Sequence, residues 1–249
     1  MAKQNIYDNE IFFEGYKKIR DNALNANNLF EIPALFSMMP DLHGKKVLDL
    51  GCGFGEHCAR LIHDGAAHVT GIDISEKMLE IAGKENCDAK ISYINMPMED
   101  IAQLHERFDI VISSLAFHYV DDFSGVVKNI YKMLNEDGLF IFSQENPLCT
   151  CHSGADRWTR DADGNKLYVN LANYGLEGER ESVWFVDNVK KYHRTFSTIV
   201  NTLIEAGFMI EKMIEPLPTA ELLEKYPKYK DLFHKPDFLL IKAKKPAGR

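Results

Sequence analysis

The chain has 249 residues, a formal net charge of −8 and a hydrophobic content of 45%. That length fits one large α/β domain or a domain with a sizeable insertion, and the composition is typical of a soluble protein with a buried core. The acidic balance makes nucleic acid an unfavourable partner, and neither a signal peptide nor a membrane-spanning run is found. The five cysteines are irregularly spaced, which predicts free thiols in a cytoplasmic protein.

The predicted elements begin with a helical segment over about Asp8 to Met39, in which apolar side chains repeat at helical spacing and Pro33 and Pro40 mark the end. From Lys45 onward, short apolar strands alternate with helices. Five strands are predicted in this part: "KKVLDL", "HVTGID", "KISYIN", "FDIVISSL" and, opened by Gly138, "LFIFSQ". Such alternation predicts a parallel sheet that is covered by helices on both faces.

The alternation breaks at Asn146, and up to about Tyr192 the chain is polar and aromatic. We interpret 146–192 as an inserted cap and 1–40 as an N-terminal helical lid, both belonging to a single domain over 1–249. A helix from Phe196 ends at Gly207. "FMIEKMIE" and "DFLLIKAKK" then predict two late strands that are joined by no full crossover, which suggests antiparallel pairing at the end of the chain.

The stretch "VLDLGCGFGEH" places Gly51, Gly53 and Gly55 directly after the first strand. Ligands of open α/β sheets bind beyond the carboxyl ends of the strands, and glycines there let the backbone touch the ligand. The spacing G-x-G-x-G departs from the dinucleotide pattern G-x-G-x-x-G, and the acid Glu56 opposes a pyrophosphate. Asp73, at the end of the second strand, can accept both hydroxyls of a ribose. For the loop alone, a generic strand–helix turn is the alternative.

These stretches, with "MED" at 98–100, "FDIVISSLAFHYV" and "LNEDGLFIFS", resemble the motifs of the class I S-adenosylmethionine-dependent methyltransferases over roughly Lys45 to Gln144. The resemblance implies a Rossmann-like sheet, mostly parallel with an antiparallel C-terminal strand, and S-adenosyl-L-methionine as cofactor. One departure is Pro97, where many relatives carry an acid. The residues implied are Asp49, Gly51, Cys52 and Gly53 at the amino acid end, Asp73 at the ribose, Ile74, Met78, Met98 and Glu99 at the adenine, and Ser114 and Leu115 at the methionine moiety.

An N-terminal helix often closes over the cofactor in related small-molecule methyltransferases. Tyr16 and Arg20 share one helical face, so both are candidates for the cofactor site. Arg20 would pair with the methionine carboxylate, which suits guanidinium geometry. The alternative is a core aromatic residue beside a surface arginine.

Three side chains are candidates for a catalytic base, which is needed only if the acceptor arrives protonated. His118 follows the fourth strand, Glu145 leaves the fifth, and His193 precedes a helix. The alternatives are a packed, hydrogen-bonded histidine for His118, a loop acid or helix-terminus partner for Glu145, and capping and packing of the next helix for His193. No metal is required, and "CTCH" at 149–152 is not completed by a second cluster.

We therefore expect a methyltransferase (EC 2.1.1.-) that moves a methyl group to a small-molecule acceptor by in-line displacement. The aromatic cap favours a compact, partly apolar acceptor, and we expect a monomer or homodimer without nucleic acid or membrane partners. The alternatives are a cofactor-binding protein of the same fold without turnover and, less favoured, an NAD-dependent oxidoreductase.

Overall fold

The computed structural model describes residues 4–20, 22, 24–152 and 157–248. Parts of the predicted lid (1–3, 21 and 23) and cap (153–156) lie outside these described residues. The α-helices are α1 (Glu10–Arg20), α2 (Ile32–Phe36), α3 (Glu56–His63), α4 (Glu76–Glu85), α5 (Phe123–Met133), α6 (Pro147–Thr150), α7 (Phe196–Glu205) and α8 (Ala220–Lys225). The strands are β1 (Lys46–Leu50), β2 (His68–Asp73), β3 (Ile91–Asn95), β4 (Phe108–Ser113), β5 (Leu134–Glu145), β6 (Trp158–Arg160), β7 (Lys166–Val169), β8 (Gly178–Trp184), β9 (Val186–His193), β10 (Met209–Ile214) and β11 (Phe238–Lys244).

The central feature is a seven-stranded sheet in the order β3-β2-β1-β4-β5-β11-β10. Neighbouring strands from β3 to β5 pair in parallel, whereas the C-terminal strand β11 runs antiparallel to both β5 and β10. Parallel neighbours need crossover connections, which the helices between them supply. The predicted α/β fold with an antiparallel C-terminal strand is confirmed.

Each face of the sheet carries its own hydrophobic core. Phe117, Phe140 and Ile199 belong to the core under α5 and α7, whereas Leu35 and Cys58 belong to the core under α2 and α3. All five side chains are buried. Successive side chains of a strand point to opposite faces, so apolar runs such as "FDIVIS" contribute to both cores.

Two local predictions are corrected. The helical pattern over Asp8 to Met39 forms α1, a π-helix (Asn27–Glu31) and α2 rather than one run, and Pro33 lies in the first turn of α2, where its missing N–H is not needed. The fifth strand begins at Leu134 rather than after Gly138. Its pairing with β4 shifts register between Phe108 and Ile110, which accommodates the extra residues.

The segment predicted to be a cap forms two antiparallel hairpins, β6–β7 and β8–β9, which are separate from the main sheet. The first element of this segment is α6, which follows β5, and α7 comes after β9. None of the described helices is both long enough and apolar enough to cross a membrane.

Candidate active site

The loop after β1 contains three glycines with positive φ, from +53° to +77°. A Cβ atom at Gly55 would clash with the hydroxyl oxygen of Tyr93, so the neighbouring side chain leaves no room for one there. A Cβ atom at Gly53 would instead meet no described atom within 4 Å. The space beside the Gly53 backbone is therefore open, and a side chain would occupy it; we refer to this open space as the cradle at Gly53.

Asp73 joins this loop to the start of α4. Its Oδ2 accepts a hydrogen bond from the Gly53 amide at 2.9 Å, and its Oδ1 accepts one from the Ser75 amide at 2.8 Å. Burial raises the pKa of the Asp73 carboxyl, although both amides favour the ionised form. Carboxylate oxygens have further lone pairs, so the ribose role that the sequence predicts for Asp73 is compatible with these bonds.

Asp49 is buried at the end of β1, beside α3. Its Oδ2 accepts a hydrogen bond from the Cys58 thiol at 3.3 Å, whereas Oδ1 is buried without a partner among the described residues. Burial raises the pKa of this carboxyl to about 7. A buried carboxylate oxygen without a donor is stabilised by a bound cation or N–H group.

The N-terminal segment lies across the end of β2. Asp8 accepts a hydrogen bond from the Ser75 hydroxyl at 2.6 Å, and the Asn5 side-chain amide donates to the carbonyl of Ile74 at 3.2 Å. Further along, Arg20 forms an ion pair with Glu56, the first residue of α3. The side chain of Arg20 is only 12% exposed in this pair, so it lies beside the glycine loop rather than in open solvent.

Glu31 lies in the π-helix, and its fully buried side chain contacts the carboxyl ends of the central strands. Its Oε1 accepts hydrogen bonds from the hydroxyls of Ser143 at 2.5 Å and Ser114 at 3.0 Å. Burial raises the pKa of this carboxyl to about 6, while the two hydroxyls and Arg20 lower it. Ser143 also accepts a hydrogen bond from the amide of Leu115, which has a φ of +51°.

The remaining predicted cofactor residues lie in α4, in the glycine loop and in the 3-10 helix after β3. Met78 is buried in α4, and its amide donates to the Ser75 hydroxyl, so the predicted helix cap is confirmed. The Met98 methyl lies 3.6 Å from where a Gly51 Cβ would stand. Cys52 is buried, and Glu99 lies in the short 3-10 helix Met98–Gln103.

Aromatic side chains bring α1, the lid helix, into contact with the β8–β9 hairpin, the cap hairpin. The contact lies beside the glycine loop, at the carboxyl ends of the parallel strands. Phe12 of α1 packs edge-to-face on Trp184, with ring centroids 5.2 Å apart. Tyr16 lies between Trp184 at 6.1 Å and Phe54 of the glycine loop at 6.2 Å. The aromatic face of α1 is thus in contact with both the cap and the loop.

Backbone contacts tighten this arrangement. Gly15 of α1 lies against Phe185, because a Cβ atom there would stand 2.6 Å from the ring. The side-chain amide of Gln4 both donates to and accepts from the backbone of Lys190 in β9, at 3.2 and 2.8 Å. The N-terminal segment is therefore bonded directly to the β8–β9 hairpin.

Two of the three candidate bases are neighbours. The Glu145 amide donates to Nδ1 of His118 at 3.4 Å, and His118 Nε2 lies 4.0 Å from the Glu145 carboxylate. Burial lowers the pKa of His118 to about 4. Burial would raise the pKa of Glu145, but His118 and Lys191 outweigh it and lower that pKa. Because His118 is uncharged at neutral pH, Lys191, at 2.5 Å from Glu145, is the effective cation.

The third candidate, His193, occupies a different environment. Its Nδ1 lies 2.8 Å from the Thr150 hydroxyl and its Nε2 lies 2.9 Å from the Tyr174 carbonyl oxygen. The side chain is fully buried, and burial lowers its pKa. Both ring nitrogens are thus engaged with other parts of the chain, Thr150 of α6 and the Tyr174 carbonyl. The role of His193 as a base stays a prediction.

Comparison with known proteins identifies the class. Residues 48–142 match a family described as a methyltransferase domain. The chain is 41% identical to a proposed S-adenosylmethionine-dependent methyltransferase from Listeria monocytogenes (86% of this chain, 96% of that chain, TM-score 0.79). It is 36% identical to an S-adenosylmethionine-dependent methyltransferase from Mesorhizobium loti (86% and 97%, TM-score 0.78).

A further relative is a ubiquinone biosynthesis O-methyltransferase of Neisseria meningitidis, 36% identical over 118 residues, which are 45% of this chain and 50% of that protein. Taken with the two solved structures, these similarities show that the chain belongs to the class I S-adenosylmethionine-dependent methyltransferases, whose cofactor is S-adenosylmethionine.

The residues present fit this cofactor. Buried carboxyls at Asp49 and Glu31 suit a ligand that carries a sulfonium and an ammonium, and they would repel a pyrophosphate. The open cradle at Gly53 gives the ligand room. The NAD-dependent alternative is not supported by the family or by this charge distribution. No cluster of three or more potential metal ligands is found in the described part of the chain.

Sequence reasoning missed Glu31, Phe54 and Lys191. The sequence contains one signal for Glu31, because "LFEI" places a single acidic residue inside an apolar run. An acidic side chain that is buried with such a run is expected to have a polar partner or a functional role. Lys191 lies in "VKKYH" beside other charged residues, and the local sequence does not distinguish it from a lysine that is exposed to solvent. Its role follows only from the hairpin that brings β9 next to the end of β5.

Proposed function

We propose that the protein transfers a methyl group from S-adenosylmethionine to a small, partly apolar molecule by in-line displacement. The observation that carries this proposal is the contact of lid and cap over the glycine loop, where Tyr16 bridges Phe54 and Trp184. An enclosed site suits a compact acceptor and excludes bulk water, whereas a protein tail or nucleic acid strand needs an open groove.

In this mechanism the protein contributes mainly position. When bound, the cofactor would supply a methyl group on a sulfonium, whose sulfur leaves with the electron pair of the broken bond as the neutral thioether S-adenosylhomocysteine. Asp73 and the backbone at Gly53 would hold the cofactor, and the aromatic residues of lid and cap would hold the acceptor in line with the methyl. Correct alignment of two reactants accelerates a displacement strongly without any acid or base.

Glu145 is the residue proposed to contact the acceptor. Its carboxylate is ionised beside Lys191 at neutral pH, so it can accept a hydrogen bond from an acceptor hydroxyl or amine. His118, bonded to the Glu145 amide, is proposed to position that carboxylate. A histidine with a pKa near 4 takes up a proton poorly at neutral pH, so we do not assign His118 the role of general base.

Methyl-labelled S-adenosylmethionine incubated with a cell extract tests the proposal. The extract is separated into small-molecule, protein and RNA fractions, and each is analysed by mass spectrometry. We expect label in the small-molecule fraction only, with none from protein in which Gly53 is replaced by valine. The labelled species also identifies the acceptor atom.

Two other outcomes would contradict the proposal. Label in protein or RNA would identify a macromolecular acceptor and would require the lid to open far more than the contacts above allow. An absence of transfer in every fraction, with cofactor binding intact, would favour the alternative of a cofactor-binding protein without turnover.

A further inference from the structure

The side chain of Glu31, on the N-terminal segment, has one carboxylate oxygen, Oε2, that is buried without a hydrogen-bond partner among the described residues. The side chain is 0% exposed, and Oε1 already accepts two hydroxyl hydrogen bonds. Oε2 has no hydrogen-bond partner within the described residues. Desolvation of a charged oxygen without compensation is unfavourable, so this position is suited to an N–H donor or a cation that arrives with a ligand.

The surroundings of Glu31 place this oxygen at the carboxyl ends of the central strands. Ser114, which donates to Glu31, directly follows β4, and β4 lies next to β1 and its glycine loop. Tyr16 and Arg20 of α1 are close enough to interact electrostatically with Glu31. Arg20 also pairs with Glu56, at the far end of the glycine loop. An anion and a cation from the N-terminal segment therefore lie near one another at the ligand edge of the sheet.

We propose that Oε2 of Glu31 accepts a hydrogen bond from the α-ammonium at the methionine end of the bound cofactor. The ammonium and the carboxylate of an amino acid are attached to the same carbon. A protein that binds both therefore needs an anionic and a cationic side chain that lie close together. Glu31 and Arg20 provide such a pair. The sulfonium is the cofactor's other cation, but it has no N–H to donate. The proposal rests on the cofactor of the family and is independent of the acceptor.

Calorimetry with three ligands and the Glu31→Gln variant tests this contact. S-adenosylhomocysteine has both amine and carboxylate, its decarboxylated analogue keeps only the amine, and 5′-methylthioadenosine lacks both. Glutamine preserves the shape and an acceptor for the two serines but removes the charge. A charge-assisted hydrogen bond corresponds to roughly tenfold to hundredfold in affinity. We expect that loss for the first two ligands and a change of less than about twofold for 5′-methylthioadenosine.

Arg20→Gln provides the matched comparison. If Arg20 pairs with the carboxylate, this variant should weaken S-adenosylhomocysteine but bind the decarboxylated analogue as the wild type does. The wild type gives an independent test if Glu31→Gln does not fold: the decarboxylated analogue should bind at least about tenfold more tightly than 5′-methylthioadenosine.

Three results would overturn the proposal. Equal losses for all three ligands would mean that Glu31 only supports the local structure. Unchanged affinity of Glu31→Gln for S-adenosylhomocysteine would mean that Glu31 does not contact the ammonium. Equal wild-type affinities for the decarboxylated analogue and 5′-methylthioadenosine would show that the ammonium makes no favourable contact.

Discussion

Replacement of Gly53 by valine is expected to abolish binding of S-adenosylhomocysteine, by more than about a hundredfold in affinity. The side chain would fill the cradle at this position, where no described atom lies within 4 Å of an added Cβ. It would also stand next to the amide that donates to Asp73. Because the backbone φ is +53°, a β-branched residue introduces strain of about 1–3 kcal/mol as well.

Gly44→Val separates these two effects. Gly44 has a φ of +74° and equally open surroundings in the described structure, but it lies in the turn before β1, away from the ligand edge. Both variants should lose similar stability in thermal unfolding, while only Gly53→Val should lose the ligand in calorimetry. Retained binding by Gly53→Val, or loss of binding by both variants, would show that the cradle at Gly53 does not receive the cofactor.

Asp49→Asn is expected to stabilise the free protein at high pH. The pKa of the Asp49 carboxyl is about 7 in the folded protein, against 3.8 for an exposed aspartate. Between these values the folded state holds a proton that the unfolded state has released, so the free energy of unfolding falls as the pH rises and levels off above about 7. Asparagine removes this dependence. Since about 1 kcal/mol shifts the Tm of a domain this large by roughly 2–4 °C, we expect a Tm increase of a few degrees at about pH 8 and a smaller one at about pH 5.

Thermal unfolding across this pH range measures the effect, and Asp163→Asn, at an exposed turn of the cap, is the control. A Tm difference that does not change with pH would mean that Asp49 is not held in its neutral form by burial.

The parallel part of the fold and the glycine loop could be predicted from the sequence because their signals are local. Apolar runs of strand length, Ser75 at a helix start and glycines that follow a strand each act within a few residues. Asp73 is predicted to contact the ribose from its place at the end of β2, and that role stays a prediction. Its hydrogen bonds to the amides of Gly53 and Ser75 could not be predicted, because they depend on how two loops lie against one another.

The rest of the site depends on contacts between distant segments. Glu31 meets Ser143 across 112 positions of the chain, and Lys191 meets Glu145 across 46. The same holds for His193, which the sequence predicts as a candidate base from its position before a helix. Its contacts with Thr150 and Tyr174 depend on how the segment 146–192 folds and cannot be read from the sequence. Periodicity and motif spacing carry no information on such pairings.

Amide hydrogen exchange with and without S-adenosylhomocysteine tests most directly the central claim that lid and cap enclose the bound cofactor. Ligand-covering segments have low local stability in the free protein and gain protection when the ligand orders them. Exchange is therefore predicted to slow in residues 10–20 and 178–193 by more than in α5, whose apolar side chains pack on one face of the sheet. Protection confined to the loops at 51–55 and 73–75 would contradict the enclosure and would favour a larger acceptor bound at the surface.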